Sequence, residues 1–314
     1  MIMRKTVFFL LTLTLSQLPS FCTAQEEKTD GFGATQTIKE DTEEQRAARD
    51  RYDSPIWKLC WSDDFNEPGA PDPKRWNYEE GRVRNGEAQY YTLDRRENAR
   101  VAEGHLIISA HKENYQGSNY TSASLTTLDR FAFTYGKVEI RAKVPRGRGT
   151  WAALWTLADY DPRFRGGYER NGAGARWPRG GEIDLLEYVG MHPDQLFFTV
   201  HTEAYNHTKG TQRGHNIRQS KPWEDFYRYG IVWNTDRVEW FFNGNRVFSF
   251  LKDGKGPASW PLDSAQYLIL NLAIGGGWGG QKGIDDTIFP AEFIIDYVRV
   301  WQEPAKNLTI DKGP

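Results

Sequence analysis

Three carboxylic acids lie close together in GGEIDLLEYVG, the segment that spans residues 180–190. Glu182, Asp184 and Glu187 stand among Ile, Leu, Tyr and Val, so the segment otherwise has the composition of a buried strand. Burying a carboxylate costs on the order of several kcal/mol unless the group is paired or used. Solvated acids or an ion-binding site are the structural alternatives, but this spacing within an apolar segment favours catalysis.

The spacing of the acids also predicts an irregular strand. Side chains on a strand alternate between its faces, so Glu182 and Asp184 share one face while Glu187 would point to the other. One extra residue in the Leu185–Leu186 pair, a β-bulge, would return Glu187 to the shared face. The Cα atoms of Glu182 and Glu187 would then lie roughly 13 Å apart, about four strand steps. Two long side chains that lean together can close most of that gap.

Two carboxyl groups on one concave face meet a requirement of retaining glycosidases. Such enzymes hold the two groups about 5–5.5 Å apart. One group attacks the anomeric carbon, while the other protonates the leaving oxygen and then deprotonates water. Their protonation states must differ, and a third acid nearby can set that difference. Asp184 lies between the two Glu residues and suits that role.

The elements that must position these acids are mostly strands. In KVEIRAKV, residues 137–144, apolar side chains alternate with charged ones, as in a strand with one wet face. Asn243-Gly244 lies between two apolar runs and predicts a hairpin turn. Many short strands at close spacing predict an all-β antiparallel sandwich or barrel. Residues 55–304 contain no repeat and no linker, so they are predicted to form one domain.

The two ends of the chain differ from this central part. Residues 1–24 combine a basic start, a short apolar run and a small-residue cleavage site, which predicts a signal peptide. Residues 25–54 are charged and predict a polar flexible spacer with room for a short surface helix, and residues 305–314 are a C-terminal tail. Export to the periplasm, the cell surface or the medium is therefore expected. Lipid anchoring through Cys22 is the alternative, which the preceding Phe disfavours.

Composition narrows the function further. A formal net charge of -2 on 314 residues leaves no basic patch, so nucleic acid is not an expected partner. The N-terminal apolar run is too short to span a bilayer, so no membrane span is predicted. The chain has no HExxH motif and no Cys cluster, so no cofactor is expected for catalysis. A monomer is expected.

The segment GEIDLLEY closely resembles the ExDxxE signature of family-16 glycoside hydrolases, in the bulged form of the laminarinase-like branch. The resemblance covers nearly all of residues 55–303 and implies a concanavalin-like jelly-roll β-sandwich with a substrate cleft on its concave sheet. Further segments resemble the family in the family's order: WSDDFN (61–66), WNYEEG (76–81), NGEAQYYT (85–92), YTSASLTT (120–127), FTYGKVEIRAKVPRGRGTWAALWTL (133–157), LILNLAIGGGWGG (268–280) and IDYVRVWQ (295–302).

The resemblance implies a role for each acid. Glu182 would be the nucleophile, Glu187 the general acid/base, and Asp184 would hydrogen-bond the nucleophile. The implied activity is that of a secreted endo-β-glucanase that retains anomeric configuration, with a β-glucan polysaccharide as its partner. The substrate would be laminarin-type β-1,3-glucan or mixed-linkage β-1,3-1,4-glucan.

Three other functions remain open from the sequence. A non-catalytic β-glucan-binding protein could have this fold, although the intact pair of Glu182 and Glu187 disfavours it. A transglycosylase would use the same carboxylates with a sugar acceptor in place of water. An agar-type galactan hydrolase is disfavoured by flanking segments that resemble glucanases more closely.

Aromatic and polar residues near these motifs predict the sugar contacts. Indole rings suit the apolar faces of sugars, while Asn and His suit their hydroxyls. A single Trp is often a core residue, and Trp61, Trp76, Trp233 and Trp301 are assigned to the core or to structural roles. The residues that resemble family subsite positions are Asn85, Trp151, Trp155, Trp177, His201 and Trp278.

The chain departs from the family pattern at Ser124, where laminarinase-like enzymes often have a basic residue. This difference puts one sugar contact in doubt. The segments 159–179 and 203–215 are also distinctive and are expected to border the cleft, where loops choose the linkage that fits.

A structural calcium ion is a further expectation from the resemblance. The matching positions are Asp64, the carbonyl of Gly104 and Asp296, whose oxygen ligands suit calcium. The alternative is that the two acids are turn or pairing residues.

Overall fold

Two β-sheets packed face to face form the body of the protein. The computed structural model describes residues 42–159 and 177–304. In chain order the elements are α1 (Glu43–Tyr52), β1 (Lys58–Asp63), β2 (Asn77–Tyr78), β3 (Gln89–Tyr91), β4 (Ala99–Ala102), β5 (His105–Tyr115), β6 (Ser118–Ser122), β7 (Ser124–Thr126), β8 (Gly136–Lys143), β9 (Thr150–Ala158), β10 (Glu182–Val189), β11 (Gln195–His201), a 3₁₀ turn (His207–Lys209), β12 (Arg213–Arg218), β13 (Tyr227–Trp233), β14 (Arg237–Phe242), β15 (Asn245–Leu251), β16 (Gln266–Ile274), α2 (Gly276–Gly279), a 3₁₀ turn (Asp286–Ile288) and β17 (Ala291–Gln302).

The described strands divide between an outer sheet and a cleft sheet. In the outer sheet the order is β15-β14-β13-β8-β17-β5-β6-β3, with β1 also paired to β17 and β4 to β5. In the cleft sheet the order is β12-β11-β10-β9-β16-β7-β2. The pairs are antiparallel except for β3 and β6, which are parallel. The predicted all-β jelly-roll sandwich is confirmed.

The core lies between the sheets and is built from alternating strand positions. On β8, Val138, Ile140 and Ala142 point inward and are fully buried. The hairpin turn predicted at Asn243-Gly244 joins β14 to β15, and both residues have positive φ, at 50° and 81°. Two-residue turns of this kind match the twist of antiparallel strands.

The first helix covers part of the outer sheet. Thr42 caps α1 by accepting a hydrogen bond from the backbone N–H of Gln45 at 3.2 Å. Ala48 and Tyr52 are fully buried on its inner face. The sequence allowed a short surface helix within the spacer predicted at residues 25–54. The structure packs this helix on the sandwich, so the folded unit begins ahead of the predicted boundary at residue 55.

The prediction that β8 has one wet face is wrong for Lys137 and Glu139, because α1 covers them. Both side chains are buried, with exposed fractions of 9% and 6%. The Tyr52 hydroxyl donates to Glu139 Oε2 at 2.6 Å, and Lys137 Nζ donates to the Tyr52 carbonyl at 2.9 Å. Buried charges of this kind persist when they are paired and hydrogen-bonded.

The predicted signal peptide, most of the predicted spacer and the C-terminal tail lie outside the described residues. Within residues 42–159 and 177–304, no helix is long and apolar enough to cross a membrane. Of the four tryptophans assigned to structural roles, Trp76 and Trp233 are each 1% exposed, and Trp61 packs against the core from its edge. Trp301 lies on β17, and Lys137 Nζ lies over its ring, 4.9 Å from the ring centre.

We expect Tyr52→Phe to lower the free energy of unfolding by about 1–3 kcal/mol, because it removes one hydrogen bond from a buried carboxylate. Glu139 would keep the hydroxyl of Tyr297 at 2.7 Å. Urea unfolding measures the change. Tyr90→Phe is the matched control, since its hydroxyl contacts Glu80 at 3.4 Å on the surface. Equal stability of the Tyr52 variant and the wild type would contradict a stabilising role for this contact.

Candidate active site

The strand that carries the three acids, β10, has one more residue than its neighbours. From Asp184 to Glu187 it advances three residues while β11 advances two. From Asp184 to Leu186 it advances two residues while β9 advances one. The register with β11 places the extra residue at Leu185 or Leu186, and the register with β9 identifies it as Leu185 because Leu186 pairs with Leu154. The bulge predicted in this leucine pair is confirmed.

The bulge separates core side chains from cleft side chains. Leu185 and Leu186 are adjacent, yet both are fully buried in the core between the sheets. Glu182, Asp184 and Glu187 all line a cleft of about 530 Å³ on the opposite face. Strict alternation would have turned Glu187 into the apolar core, where an unpaired carboxylate is costly.

Glu182 lies at the start of β10 and accepts two hydrogen bonds. Trp177 Nε1 donates to its Oε2 at 2.6 Å, and the side chain of Asp184 provides the second bond. Burial raises the pKa of Glu182 to about 7, while both hydrogen bonds oppose the shift by stabilising the carboxylate.

Asp184 is the most deeply buried of the three acids, with 2% of its surface exposed. Burial first, and then the charges of Glu182 and Glu187, raise the pKa of Asp184 well above its ordinary value. This shift favours the protonated form of Asp184, the form that can donate a hydrogen bond to the Glu182 carboxylate. Its backbone carbonyl accepts a hydrogen bond from Trp240 Nε1 at 2.8 Å, which fixes the strand from the core side.

Glu187 accepts hydrogen bonds from both neighbouring strands. Trp151 Nε1 on β9 donates to Oε1 at 3.2 Å, and Thr199 Oγ1 on β11 donates to Oε2 at 3.2 Å. Burial, and next the charge of Glu182, raise the pKa of Glu187 to about 7, against the opposing effect of the two hydrogen bonds. An ionised Glu182 thus favours a protonated Glu187. The site can hold a carboxylate and a carboxylic acid side by side.

His201 faces Glu182 across the pairing of β10 and β11. Its Nε2 lies 3.6 Å from Asp184 Oδ2 and 3.9 Å from Glu182 Oε1. Burial, and then the charge of His207, lower the pKa of His201 to about 3, so its ring is neutral. Trp177 lies over the same end of the cleft, with its ring centre 5.0 Å from that of His207.

The structure brings all six predicted sugar-contacting residues to the cleft wall, but it does not present them equally. Trp151 and Trp278 meet edge to face with ring centres 5.7 Å apart, and both remain partly exposed. Trp155 is only 7% exposed, and the Arg84 guanidinium covers its ring at 4.9 Å. The six are Asn85, Trp151, Trp155, Trp177, His201 and Trp278.

Several cleft residues were missed from the sequence. Asn271 is a polar residue inside the apolar run LILNLAI, the same signal that marked the acids, and it accepts a hydrogen bond from Trp155 Nε1 at 2.7 Å. His207 and Gln212 confirm that the segment 203–215 borders the cleft. The missed residues that line the cleft are Arg84, Glu87, Ala153, Leu157, Thr199, His207, Gln212, Asn271, Gly277 and Gln281. Of the segment 159–179, residues 160–176 lie outside the described residues.

The acids proposed for calcium are both engaged by arginine. Asp64 Oδ1 lies 2.7 Å from Arg299 Nη2, and Asp296 Oδ2 lies 2.5 Å from Arg141 Nη1. These contacts support the pairing role, since each carboxylate already has a cation, and the calcium site stays a prediction. Elsewhere in the described part of the chain, Glu182, Asp184 and His201 each offer a potential metal ligand, and these atoms lie within 4.8 Å of one another.

Comparisons with known proteins agree with this geometry. The family model for glycosyl hydrolases family 16 matches residues 86–299. A beta-glucanase of Rhodothermus marinus is 46% identical over 261 residues, which cover 81% of this chain and 88% of the relative. The X-ray structure of the laminarinase from Rhodothermus marinus has a TM-score of 0.73 at 45% identity, covering 78% of this chain and 97% of that chain. A crystal structure of a non-specific endo-β-1,3(4)-glucanase from family GH16 has a TM-score of 0.72 at 41% identity, covering 80% and 92%.

Glu187→Gln is expected to raise the melting temperature at pH 8 by about 2–4 °C, because it removes a buried charge. The folded protein raises the pKa of this group from 4.5 to about 7, so it binds the proton more tightly than the unfolded chain does. The ionisation penalty is therefore complete above pH 7 and absent below pH 4. Thermal unfolding at pH 8 and at pH 4 measures the gain and its loss.

The control for this prediction is Glu80→Gln, an exposed position that should show little change at either pH. A stabilisation of the Glu187 variant that is equal at pH 8 and pH 4 would exclude ionisation as its cause.

Proposed function

The chain belongs to the glycosyl hydrolases of family 16, and on that premise we propose that it hydrolyses internal bonds of β-1,3-glucan or mixed-linkage β-1,3-1,4-glucan with retention of configuration. The observation that carries the proposal is the bulged strand, which places Glu182, Asp184 and Glu187 together in one cleft. The names of the relatives, a beta-glucanase and a laminarinase, support the same substrate class.

In the first step, Glu182 attacks the anomeric carbon and Glu187 gives its proton to the glycosidic oxygen. The C–O bond to the leaving sugar breaks as the bond to the Glu182 carboxylate forms, and the leaving sugar carries away the proton. Trp177 and protonated Asp184 donate to Glu182, so they hold the nucleophile ionised and orient it.

In the second step, Glu187 acts as a base toward water. Once Glu182 is esterified, its negative charge is gone, and with it one of the causes that raise the pKa of Glu187. The pKa of Glu187 therefore falls at the stage where a carboxylate is needed. The carboxylate takes a proton from water, the hydroxide attacks the anomeric carbon from the face that the leaving sugar vacated, and Glu182 is released.

The cleft supplies surfaces for the flanking sugars. Trp151 and Trp278 form an aromatic corner beside Glu187, where an indole can contact the C–H face of a sugar ring. At the other end, Trp177, His201 and Gln212 combine one ring with polar groups. Asn85 stands at the exposed rim. Gln212 joins the sugar contacts predicted from the sequence, while Trp155 would contact a sugar only through Arg84, which covers its ring.

We propose that the enzyme is exported, because residues 1–24 have the pattern of a signal peptide and a polysaccharide substrate is too large to enter a cell intact. Intact mass of the protein secreted by its host tests this: a mature chain that begins at Gln25 supports cleavage, and a lipid-modified Cys22 would favour anchoring instead. Light scattering tests the expected monomer.

We expect Glu182→Gln and Glu187→Gln to lose at least about 10³-fold in kcat/KM on laminarin while staying folded, since neither change opens a core cavity. The wild type and both variants would be incubated separately with laminarin, barley-type mixed-linkage glucan and agarose, with products sized over time and their anomeric configuration followed by NMR.

Cleavage of either glucan to β-configured products supports the proposal, and the ratio of the two rates decides the preferred linkage. Products longer than the starting oligosaccharide would indicate transglycosylation. Fast cleavage of agarose would indicate a galactanase. A wild type that binds glucans and cleaves none of the three polymers would contradict hydrolysis altogether.

Thr199→Val is expected to move the alkaline limb of the kcat/KM profile to higher pH by about half a unit. The Thr199 hydroxyl stabilises the ionised form of Glu187, so its loss raises the pKa of the acid that must stay protonated. Initial rates across pH measure the shift. Thr199→Ser keeps the hydroxyl and should leave the limb in place. An unchanged limb in the Val variant would show that this acid does not set it.

A further inference from the structure

Arg84 is a cation in the cleft wall whose charge lowers the pKa of Glu182, and the proposed mechanism gives it no contact with the substrate. Its side chain is 10% exposed and borders the cleft beside Trp155 and Asn85. The guanidinium carbon lies 4.9 Å from the centre of the Trp155 ring. A sugar that settles over this part of the cleft therefore meets the guanidinium plane, because Arg84 covers the indole.

A second layer of polar groups anchors the guanidinium through one terminal nitrogen. Arg84 Nη2 donates to Glu79 Oε1. The other oxygen of Glu79 accepts a hydrogen bond from Ser124 Oγ at 2.6 Å. Among residues 42–159 and 177–304, no group forms a hydrogen bond with Arg84 Nη1, which is buried. An unsatisfied buried donor is costly, and a ligand oxygen that reaches it removes the cost.

The charges around Arg84 select the class of ligand. Glu79 neutralises the guanidinium directly, and Glu87, which also borders the cleft, acts on it through its charge. A cation that is already compensated gives little extra attraction to a sulfate or carboxylate substituent. Its N–H groups still suit sugar hydroxyls. This part of the cleft thus fits an uncharged sugar unit.

Ser124 gains a function from this arrangement. In the structure Ser124 borders Glu79 and supports the carboxylate that anchors Arg84. The guanidinium at this side of the cleft therefore comes from the loop between β2 and β3, while β7 contributes only its support.

We propose that Arg84 is a substrate-contacting residue that forms the floor of a subsite for an uncharged glucosyl unit, on the β9–β16 side of the catalytic acids. This inference rests on the proposed function. Trp155 beneath Arg84 pairs directly with Asp184 across β9 and β10, so the subsite lies beside the reacting bond. When the sugar binds, the guanidinium turns toward the cleft and donates to a ring hydroxyl, while Glu79 keeps its hold on Nη2.

The test is the dependence of kcat/KM on chain length, measured with β-1,3-linked oligosaccharides of about three to six units. Arg84→Met removes the donors and keeps most of the side-chain volume. It is expected to lower kcat/KM by about 10- to 100-fold on oligosaccharides that fill the subsite, as for one lost charge-assisted hydrogen bond. The shortest substrates should bind elsewhere and be affected least, and the cleavage position should move. Arg84→Lys keeps the charge and should fall between Met and the wild type.

Arg82→Met is the matched control, because Arg82 bonds Ser118 and Gly117 and does not border the cleft. It should leave the length dependence unchanged. If Arg84→Met lowers kcat/KM equally for oligosaccharides of all lengths and also lowers the melting temperature, Arg84 has a structural role and the inference is overturned. An unchanged length dependence would also overturn it.

Calorimetry on the Glu182→Gln background separates this inference from the proposed function. If the wild type cleaves no β-glucan, the proposed function fails, and the affinity of a β-1,3-linked hexasaccharide with and without Arg84→Met still decides the subsite. Weaker binding of the neutral hexasaccharide to the Arg84 variant supports the subsite. If the protein with Arg84 binds a sulfated hexasaccharide more tightly than the neutral one, the inference that the subsite takes an uncharged sugar would be overturned.

Discussion

One extra residue on β10 decides which of its side chains meet the substrate. Leu185 is unmatched on both neighbouring strands, and the chain absorbs it by turning Leu185 and Leu186 together into the core. Every acid of the site then falls on the cleft face. The apolar core accepts both leucines without an unsatisfied polar group, whereas a regular strand would have forced one carboxylate inward. The bulge therefore follows from the cost of burying charge.

Three acids in one cleft raise one another's pKa values, and these raised pKa values are what proton transfer at the site requires. Each acid is largely removed from water, so each is harder to ionise, and each charge makes the next ionisation harder. Donors from three sides, the indoles of Trp151 and Trp177 and the hydroxyl of Thr199, offset part of this penalty. The result is a set of coupled groups in which one proton is easily moved, at some expense of stability.

Buried carboxylates also occur on the outer sheet, where cations stabilise them. Glu239 is fully buried there, yet the guanidinium of Arg51 on α1 binds both of its oxygens at 2.6 and 2.8 Å, and Arg246 adds a third contact. Glu139 on this side is likewise paired with a cation, Arg228. Within the described residues, Glu182, Asp184 and Glu187 form no ion pair with Lys or Arg, and their raised pKa values suit them to proton transfer.

The sequence by itself determined the features that depend on neighbouring residues. Acids at positions 182, 184 and 187 conflict with a period of two, and this conflict alone predicted the bulge and the shared face. The alternation of apolar and polar residues likewise predicted strands in a sandwich or barrel, and the family resemblance implied the jelly-roll sandwich. Only the tertiary structure decided that α1 would cover Lys137 and Glu139, and that Arg84 would lie over Trp155 on a support made by Glu79 and Ser124. Strand alternation is encoded in consecutive residues, whereas these contacts join segments far apart in the chain, and their position depends on how the whole sandwich packs.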